Sequence, residues 1–186
     1  MKKEKKEIAI KKEVTEVAKS AQENPLLAAQ IYHQSINKKP HSTWVRTDPI
    51  NKTEYLPISK LEMLLDEYFF GQWSTSNIQT QVFANEILVS LELTLVHPVT
   101  GWVITRLGAA SIPIQQDKGA KVTDVEAKKK NALVKNFPAA KAMAFKNACK
   151  TLGKMFGRDL NRDDDKKAEF TGVIKDEASK AKQAQG

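Results

Sequence analysis

The segment EILVSLELTLV, residues 86–96, alternates apolar and polar side chains along its whole length. Successive side chains of a β-strand point to opposite faces of the sheet. The pattern therefore predicts a strand with one buried face. Two β-like segments flank it, residues 72–83 and residues 101–110, and turn-forming residues separate the three. We expect an antiparallel three-stranded meander with one face packed on a core. The buried face of the middle strand is expected to contain Ile87, Val89, Leu91, Leu93 and Leu95.

Helix-like segments precede the meander. Residues 1–22 and 25–36 predict two helices separated by Asn24-Pro25, because proline is tolerated at the start of a helix but not in its interior. Residues 37–55 are rich in turn-forming residues and predict a loop. A short strand at Trp44-Val45 is compatible with that loop.

A further amphipathic helix is predicted directly before the meander, over residues 58–69. Ser59 is a suitable N-cap, because its hydroxyl can accept a hydrogen bond from a free amide of the first turn. The apolar face of this helix contains Leu61, Leu64, Leu65 and Tyr68. After the meander, residues 111–131 show no steady period and predict a mobile loop.

The segment AKAMAFKNACKTLGKMFGRDLNR, residues 140–162, predicts the last helix, which begins near residue 131. Pro138 predicts a kink or a restart within it, while Gly153 and Gly157 favour either a helix end or a close approach of backbone. At about 100° per residue, an apolar arc faces the sheet and a basic arc faces away. The apolar arc contains Leu133, Phe137, Ala140, Ala144, Ala148, Leu152 and Met155. The basic arc contains Lys128, Lys135, Lys146 and Lys150, with Lys154 at its edge.

The net charge of +8 is concentrated in this part of the chain. Residues 121–162 contain eleven Lys and Arg against three Asp and Glu, whereas the rest of the chain holds nineteen of each sign. A basic excess confined to one helix and its approaches is typical of a protein that binds a polyanion, and nucleic acid is the first candidate. Periodicity alone leaves an ordinary solvated lysine face as an equal alternative.

The residues that could carry catalysis lack the required spacing. The three histidines show no relation to Cys149 or to one another that resembles a zinc site or a nucleophile with its base. Asp159 and residues 163–165 are expected to be a solvated acidic run rather than a magnesium site. No glycine-rich loop with a Walker lysine is present. We therefore expect a protein that is not an enzyme and holds neither a metal nor a cofactor.

Composition also bears on the compartment. No apolar run approaches the roughly 20 residues that span a bilayer, and the N-terminal MKKEKKEIAIKKE lacks the apolar stretch of a secretory signal. Cys149, the single cysteine, lies among small apolar residues and is expected to be buried in a reducing compartment. These features predict a cytoplasmic protein without membrane contact.

Three quoted segments occur in a fixed order: YLPISKLEMLLDEYFFGQWSTS, then GWVITRLGAA, then AFKNACKTLGKMFGRDL. Together they resemble the Rad-fifty-two type of single-strand DNA annealing proteins, which includes the phage Sak proteins. The first looks like that family's helix ending in a Phe, Gly and Trp run, and the second lies where the family has its third strand. The third is similar to the family segment LKRALRxFGNxLG. The likeness covers about residues 55–162.

The resemblance implies ATP-independent binding of single-stranded DNA and annealing of complementary strands in recombination and repair. It also implies a homo-oligomeric ring without a cofactor, in the cytoplasm of a bacterial or phage-infected cell. The family's groove residues fall on Lys60, Lys146 and Lys150. A further family arginine falls on Asn147, and the lysine of the family's outer DNA site falls on or beside Glu86, so both charges are missing here. Weaker candidates for DNA contact are Lys154, Lys128, Lys135 and Arg106.

The expected fold is α+β, with a three-stranded antiparallel meander packed on a long basic helix and flanked by shorter helices. Residues 1–40 are expected to form an N-terminal helical extension, residues 41–162 the annealing core, and residues 163–186 a disordered charged tail. Two other classes stay open: an annealing protein of the RecT or Red beta type, and a duplex-binding sheet-and-helix module like a double-stranded RNA-binding domain. The subunit number, ring closure and any contact with a single-strand binding protein or an exonuclease also stay open.

Overall fold

The structure is a computed structural model that describes residues 24–121 and 124–162. Its helices there are α1 (Pro25–Ile36), α2 (Ile58–Phe69) and α3 (Ala132–Lys150), and its strands are β1 (Arg46–Thr47), β2 (Glu54–Tyr55), β3 (Trp73–Phe83), β4 (Glu86–Val96) and β5 (Val103–Pro113). Short 3₁₀ turns lie at Val125–Ala127 and Lys154–Phe156. The helix expected over residues 1–22 and the tail expected over residues 163–186 lie outside the described residues.

The three long strands form an antiparallel sheet in the order β3-β4-β5, as the alternating pattern predicts. All five apolar side chains predicted for the inner face of β4 are buried. Strand β5 begins two residues later and ends three residues later than predicted, because its pairing with β4 continues until Pro113 lies opposite Glu86. The fold is therefore α+β with a three-stranded meander, and this part of the expectation is confirmed.

Helix α3 packs on β4 and β5 at very close range. Gly108 of β5 makes this possible, since a Cβ atom there would lie 2.1 Å from the Ala144 carbonyl oxygen. The helix meets the sheet with Ala140, Ala144 and Ala148, which are completely buried. Two amides fasten the helix along the strand: Asn136 Nδ2 donates to the Pro113 carbonyl and Asn147 Nδ2 donates to the Ala109 carbonyl, at 2.8 and 2.9 Å.

One expectation for this helix is wrong. It ends at Lys150 instead of continuing toward residue 162, because Gly153 packs against the Ile36 carbonyl, where a Cβ atom would lie at 2.5 Å, and the chain turns away. Of the kink or restart expected at Pro138, the restart does not occur, since the helix is continuous from Ala132 to Lys150.

The apolar arc is predicted correctly only in its second half. Leu133 and Phe137 are 45% and 37% exposed, whereas Ala132 and Asn136 are buried. The hydrogen bond from Asn136 to Pro113 turns that side of the helix toward the sheet, so the two larger side chains move to the flank. Cys149 is fully buried, as expected, and burial raises the pKa of its thiol to about 12.

Helices α1 and α2 complete the core beside the sheet. Helix α1 has the predicted bounds, with the Asn24 side chain accepting a hydrogen bond from the Leu27 amide at 3.1 Å. Tyr32 of α1 lies edge-on to Tyr68 and Phe69 of α2.

The predicted apolar face of α2 is buried, but Ser59 is not its N-cap. The helix already begins at Ile58, because the carbonyl of Pro57 accepts the amides of Lys60 and Leu61 at 3.0 and 3.2 Å. Within the described ranges, no helix has the length and apolar character needed to traverse a bilayer.

Candidate nucleic-acid interface

The short hairpin formed by β1 and β2 separates two surfaces of the protein. Side chains that lie directly opposite in an antiparallel pair share one face of the ladder. Arg46 lies opposite Tyr55, and Thr47 lies opposite Glu54. One face of the hairpin therefore carries Arg46 and Tyr55, and the other carries Thr47 and Glu54. The sequence is compatible with a short strand that starts at Trp44-Val45. The strand begins instead at Arg46, because Trp44 belongs to the preceding turn.

Lys146 of α3 reaches the first of these faces. Its Nζ atom lies 4.5 Å from the ring centroid of Tyr55, a distance at which the ring quadrupole attracts a cation. The side chain is half-buried, and burial lowers the pKa of Lys146, with the nearby charge of Lys150 lowering it further. Lys146 is thus partly desolvated and repelled by a second ammonium group. A nearby phosphate stabilises such a lysine by more free energy than it does a fully hydrated lysine.

Lys60 of α2 contacts Trp44, which lies two residues before β1. Its Nζ atom lies 5.5 Å from the ring centroid of Trp44 and 3.4 Å from the sulfur of Met63. Lys60 also stands in the first turn of α2, where the free amides of the helix add positive potential. Trp44 is buried and fixes the direction of the lysine.

We group Arg46, Lys60, Lys146 and Lys150, together with the rings of Trp44 and Tyr55, under the name basic surface. Three of its four cations are the groove residues that the family resemblance indicates. The sequence analysis did not indicate Arg46, because nothing in a turn-rich sequence shows which residue lies opposite Tyr55. The pairing of two strands of only two residues each supplies that information.

The weaker candidates do not join this surface as a continuous stripe. Lys128 is not helical; it ends a 3₁₀ turn and bridges to Gln116. Lys135 is exposed in the first turn of α3, eleven residues from Lys146 and hence about 16 Å away along the axis. Lys154 lies beyond the end of α3 and pairs with Asp159 at 3.1 Å.

Arg106 is exposed on β5, on the same face of the sheet as Leu93. Strand β5 runs antiparallel to α3, since Pro113 bonds Asn136 near the start of the helix and Ala109 bonds Asn147 near its end. Arg106 therefore lies toward the Lys150 end of the helix.

The two positions that depart from the family pattern have structural partners. Asn147, where the family has an arginine, donates to the Ala109 carbonyl and so binds α3 to the sheet. Glu86 accepts a hydrogen bond from the Ser111 hydroxyl across β4 and β5.

The outer face of the sheet, opposite α3, is unsuitable for phosphate. The side chains that β3, β4 and β5 direct to it include Glu86 and Glu92, several Ser, Thr and Gln residues, and no Lys or Arg. Phosphate contacts are made mainly by Lys and Arg. The basic charge of the strands and helices is thus placed on the opposite side of the molecule.

Across 24–121 and 124–162, no three His, Cys, Asp or Glu side chains are grouped so as to hold a metal ion. His97 lies against the ring of Tyr32 at 4.7 Å, and its Nδ1 atom accepts the amides of Val99 and Thr100 at 3.3 and 3.2 Å. Burial, with a smaller contribution from His33, lowers the pKa of His97. This histidine shapes the turn between β4 and β5.

Comparison with known proteins adds no identification, since no protein-family model and no curated protein matches the chain. The class that the structure defines is an α+β domain with a three-stranded antiparallel sheet.

Proposed function

We propose that this protein binds single-stranded DNA along the basic surface and anneals complementary strands without ATP. One observation carries the proposal: lysines from two different helices are held against aromatic rings of one hairpin region, Lys146 at Tyr55 and Lys60 at Trp44. A strand along this surface meets ammonium groups for its phosphates and the half-buried ring of Tyr55 for a sugar or base. The family resemblance independently points to Lys60, Lys146 and Lys150.

The mechanism uses no chemical energy. Lysines neutralise the phosphates and release counterions, so that affinity falls with salt by roughly 0.7 decades per decade for each phosphate contacted. Contacts to the backbone position a strand without reading its bases, and sequence preference is therefore weak. Two strands held extended and free of hairpins then pair because the duplex is more stable than either strand alone.

Assembly into a homo-oligomeric ring is part of the proposal. In the described part of the chain, β3 and β5 each pair on one side only, which leaves two open strand edges. Such edges readily pair with another chain. Strand β3 also exposes Ile78, Val82 and Phe83, and α3 exposes Val134 and Met143. Exposed apolar groups of this kind mark interaction surfaces, and a second copy of the chain would cover them.

A duplex-binding module is the second candidate. The order α2, β3, β4, β5, α3, with a helix packed on one face of an antiparallel sheet, matches a helix, three strands and a helix, the order found in double-stranded RNA-binding domains. In this reading the lysines of α3 would contact the phosphates of a duplex.

Competition binding separates the two candidates. A dye-labelled oligothymidine is bound by the protein and displaced by unlabelled single strand or by duplex of equal nucleotide content, followed by fluorescence anisotropy. Displacement mainly by single strand supports the proposal. Displacement mainly by duplex favours the second candidate, and failure of the labelled strand to bind at low salt refutes the proposed function.

A further inference from the structure

A cleft of about 670 Å³ lies on the face of the β1–β2 hairpin that points away from the basic surface. Val45, Thr47 and Glu54 line it from the hairpin. Its other walls come from residues 39–42, which follow α1, and from residues 154–162, which follow α3. Clefts of this size accommodate small ligands.

Positive charge dominates the lining of the cleft. Four cationic side chains, Lys39, Lys52, Lys154 and Arg162, line it together with the carboxylates of Glu54 and Asp159. Asp159 is paired with Lys154 at 3.1 Å and with Arg162 at 3.7 Å. Within residues 24–121 and 124–162, neither Lys39 nor Lys52 forms a salt bridge. The cleft therefore holds two more cations than carboxylates.

Hydrogen bonds within the protein hold the walls of the cleft in place. Asn161 joins the segment after α3 to the hairpin by two hydrogen bonds to Glu54: its Oδ1 accepts the amide at 2.6 Å and its Nδ2 donates to the carbonyl at 2.8 Å. At the tip of the hairpin the Asp48 carboxylate accepts the amides of Ile50 and Asn51, and these bonds lower its pKa.

Lys52 is held just after this turn, with a φ of +58° and its amide bonded to the Asp48 carbonyl at 3.0 Å. The backbone at Lys52 is therefore already ordered, and binding of a ligand orders only the side chain.

We propose that this cleft is a binding site for a phosphate group. A phosphate dianion carries three acceptor oxygens, which match the ammonium groups of Lys39 and Lys52 and the N–H groups that Lys154 and Arg162 retain beyond their contact with Asp159. Ser42 and Thr47 line the same cleft and add hydroxyl donors. The site goes beyond the proposed function, because it lies on the other face of the hairpin and shares no cation with the basic surface.

The proposal is tested by equilibrium dialysis of the full-length chain against radiolabelled inorganic phosphate. Potassium chloride keeps the ionic strength constant. The key variant combines Lys39→Ala with Lys52→Gly, because glycine accepts the positive φ at position 52 and leaves the turn intact. Lys118→Ala with Lys129→Ala removes the same charge from an exposed loop and serves as the control.

Wild type is expected to bind phosphate saturably, at one ion per protomer, and the Lys39/Lys52 variant about tenfold more weakly. The Lys118/Lys129 control and a Lys146→Ala, Lys150→Ala variant should bind as wild type does. Absence of saturable binding by wild type overturns the proposal. So does equal binding by the Lys39/Lys52 variant, or loss of binding in the Lys146/Lys150 variant.

Two further arms identify where the phosphate comes from. Thymidine 5′-monophosphate competes for the site if it accepts a free nucleotide. An oligothymidine carrying a 5′-phosphate binds more tightly than its 5′-hydroxyl form if the site accepts the end of a strand, and the preference disappears in the Lys39/Lys52 variant. Inorganic phosphate binding is measured without DNA, so a failure of the proposed annealing function leaves this result unchanged.

Discussion

The double substitution Lys146→Ala with Lys150→Ala should weaken the binding of single-stranded DNA and flatten its salt dependence. If each of the four cations of the basic surface neutralises one phosphate, the slope of log affinity against log salt is roughly −2.8 per protomer, and removing two cations reduces it to roughly −1.4. An exposed ion pair contributes up to about 1 kcal/mol, so the loss of two weakens binding by up to about thirtyfold at low salt.

The same substitution should leave the fold nearly unchanged. Removal of Lys146 abolishes its contact with Tyr55 at 4.5 Å, an interaction that contributes about 0.5–1 kcal/mol at such sites. Burial and the charge of Lys150 lower the pKa of Lys146, which means that its charged form is disfavoured in the native state. Relief of both effects offsets the lost contact, and the free energy of unfolding should change by less than about 1 kcal/mol.

The assay is fluorescence anisotropy of a labelled oligothymidine over a series of salt concentrations, with urea unfolding of the same preparations. Lys118→Ala with Lys129→Ala is the matched control, because it lowers the net charge equally from an exposed loop. A slope and an affinity for the Lys146/Lys150 variant equal to those of the control would refute the assignment of these lysines to the DNA-binding surface.

Three further predictions concern the scaffold around this surface. Gly108→Ala should destabilise the protein by about 3 kcal/mol or prevent folding, because its Cβ would lie 2.1 Å from the Ala144 carbonyl; chemical unfolding measures this. Asn161→Gly keeps a residue that accepts positive φ but loses both hydrogen bonds to Glu54, and a loss of about 1–3 kcal/mol in the same measurement is expected. Because the pKa of His97 is lowered in the native state, the unfolded chain binds this proton more tightly, so the free energy of unfolding should fall as pH decreases below about 6.5. His97→Asn, which can still accept the turn amides, should flatten that fall, and an unaltered pH profile would contradict the account.

The sheet could be predicted from the sequence because its signal is local and redundant. The side chains of β4 alternate over the whole strand, and turn residues mark both of its ends. The bounds of α1 likewise follow from Asn24 and Pro25, which act within a single turn.

The features that the sequence did not predict depend on tertiary contacts, which a helical wheel does not include. The first half of α3 is rotated toward the sheet by the bond between Asn136 and Pro113, so Leu133 and Phe137 are exposed. Lys154 does not lie on the predicted basic arc, because Gly153 packs against Ile36 and α3 ends before it. Arg46 is assigned to the basic surface only because it lies opposite Tyr55 in the β1–β2 hairpin, whose strands have two residues each.

For the candidate site, the family resemblance points to lysines that periodicity alone could not distinguish from a solvated face. It placed Lys60 with Lys146 and Lys150 although 86 positions separate Lys60 from Lys146. The structure places Lys60 and Lys146 against Trp44 and Tyr55 respectively, two residues of the same hairpin region.

Annealing itself is the central claim, and the most direct measurement is the pairing of two complementary dye-labelled oligonucleotides without ATP. Size-exclusion chromatography with light scattering on the same preparation gives the oligomeric state. The account predicts rapid pairing by a large homo-oligomer, with pairing slowed by Lys146→Ala and Lys150→Ala. A monomer that prefers duplex and does not accelerate pairing would contradict the account and favour the duplex-binding module.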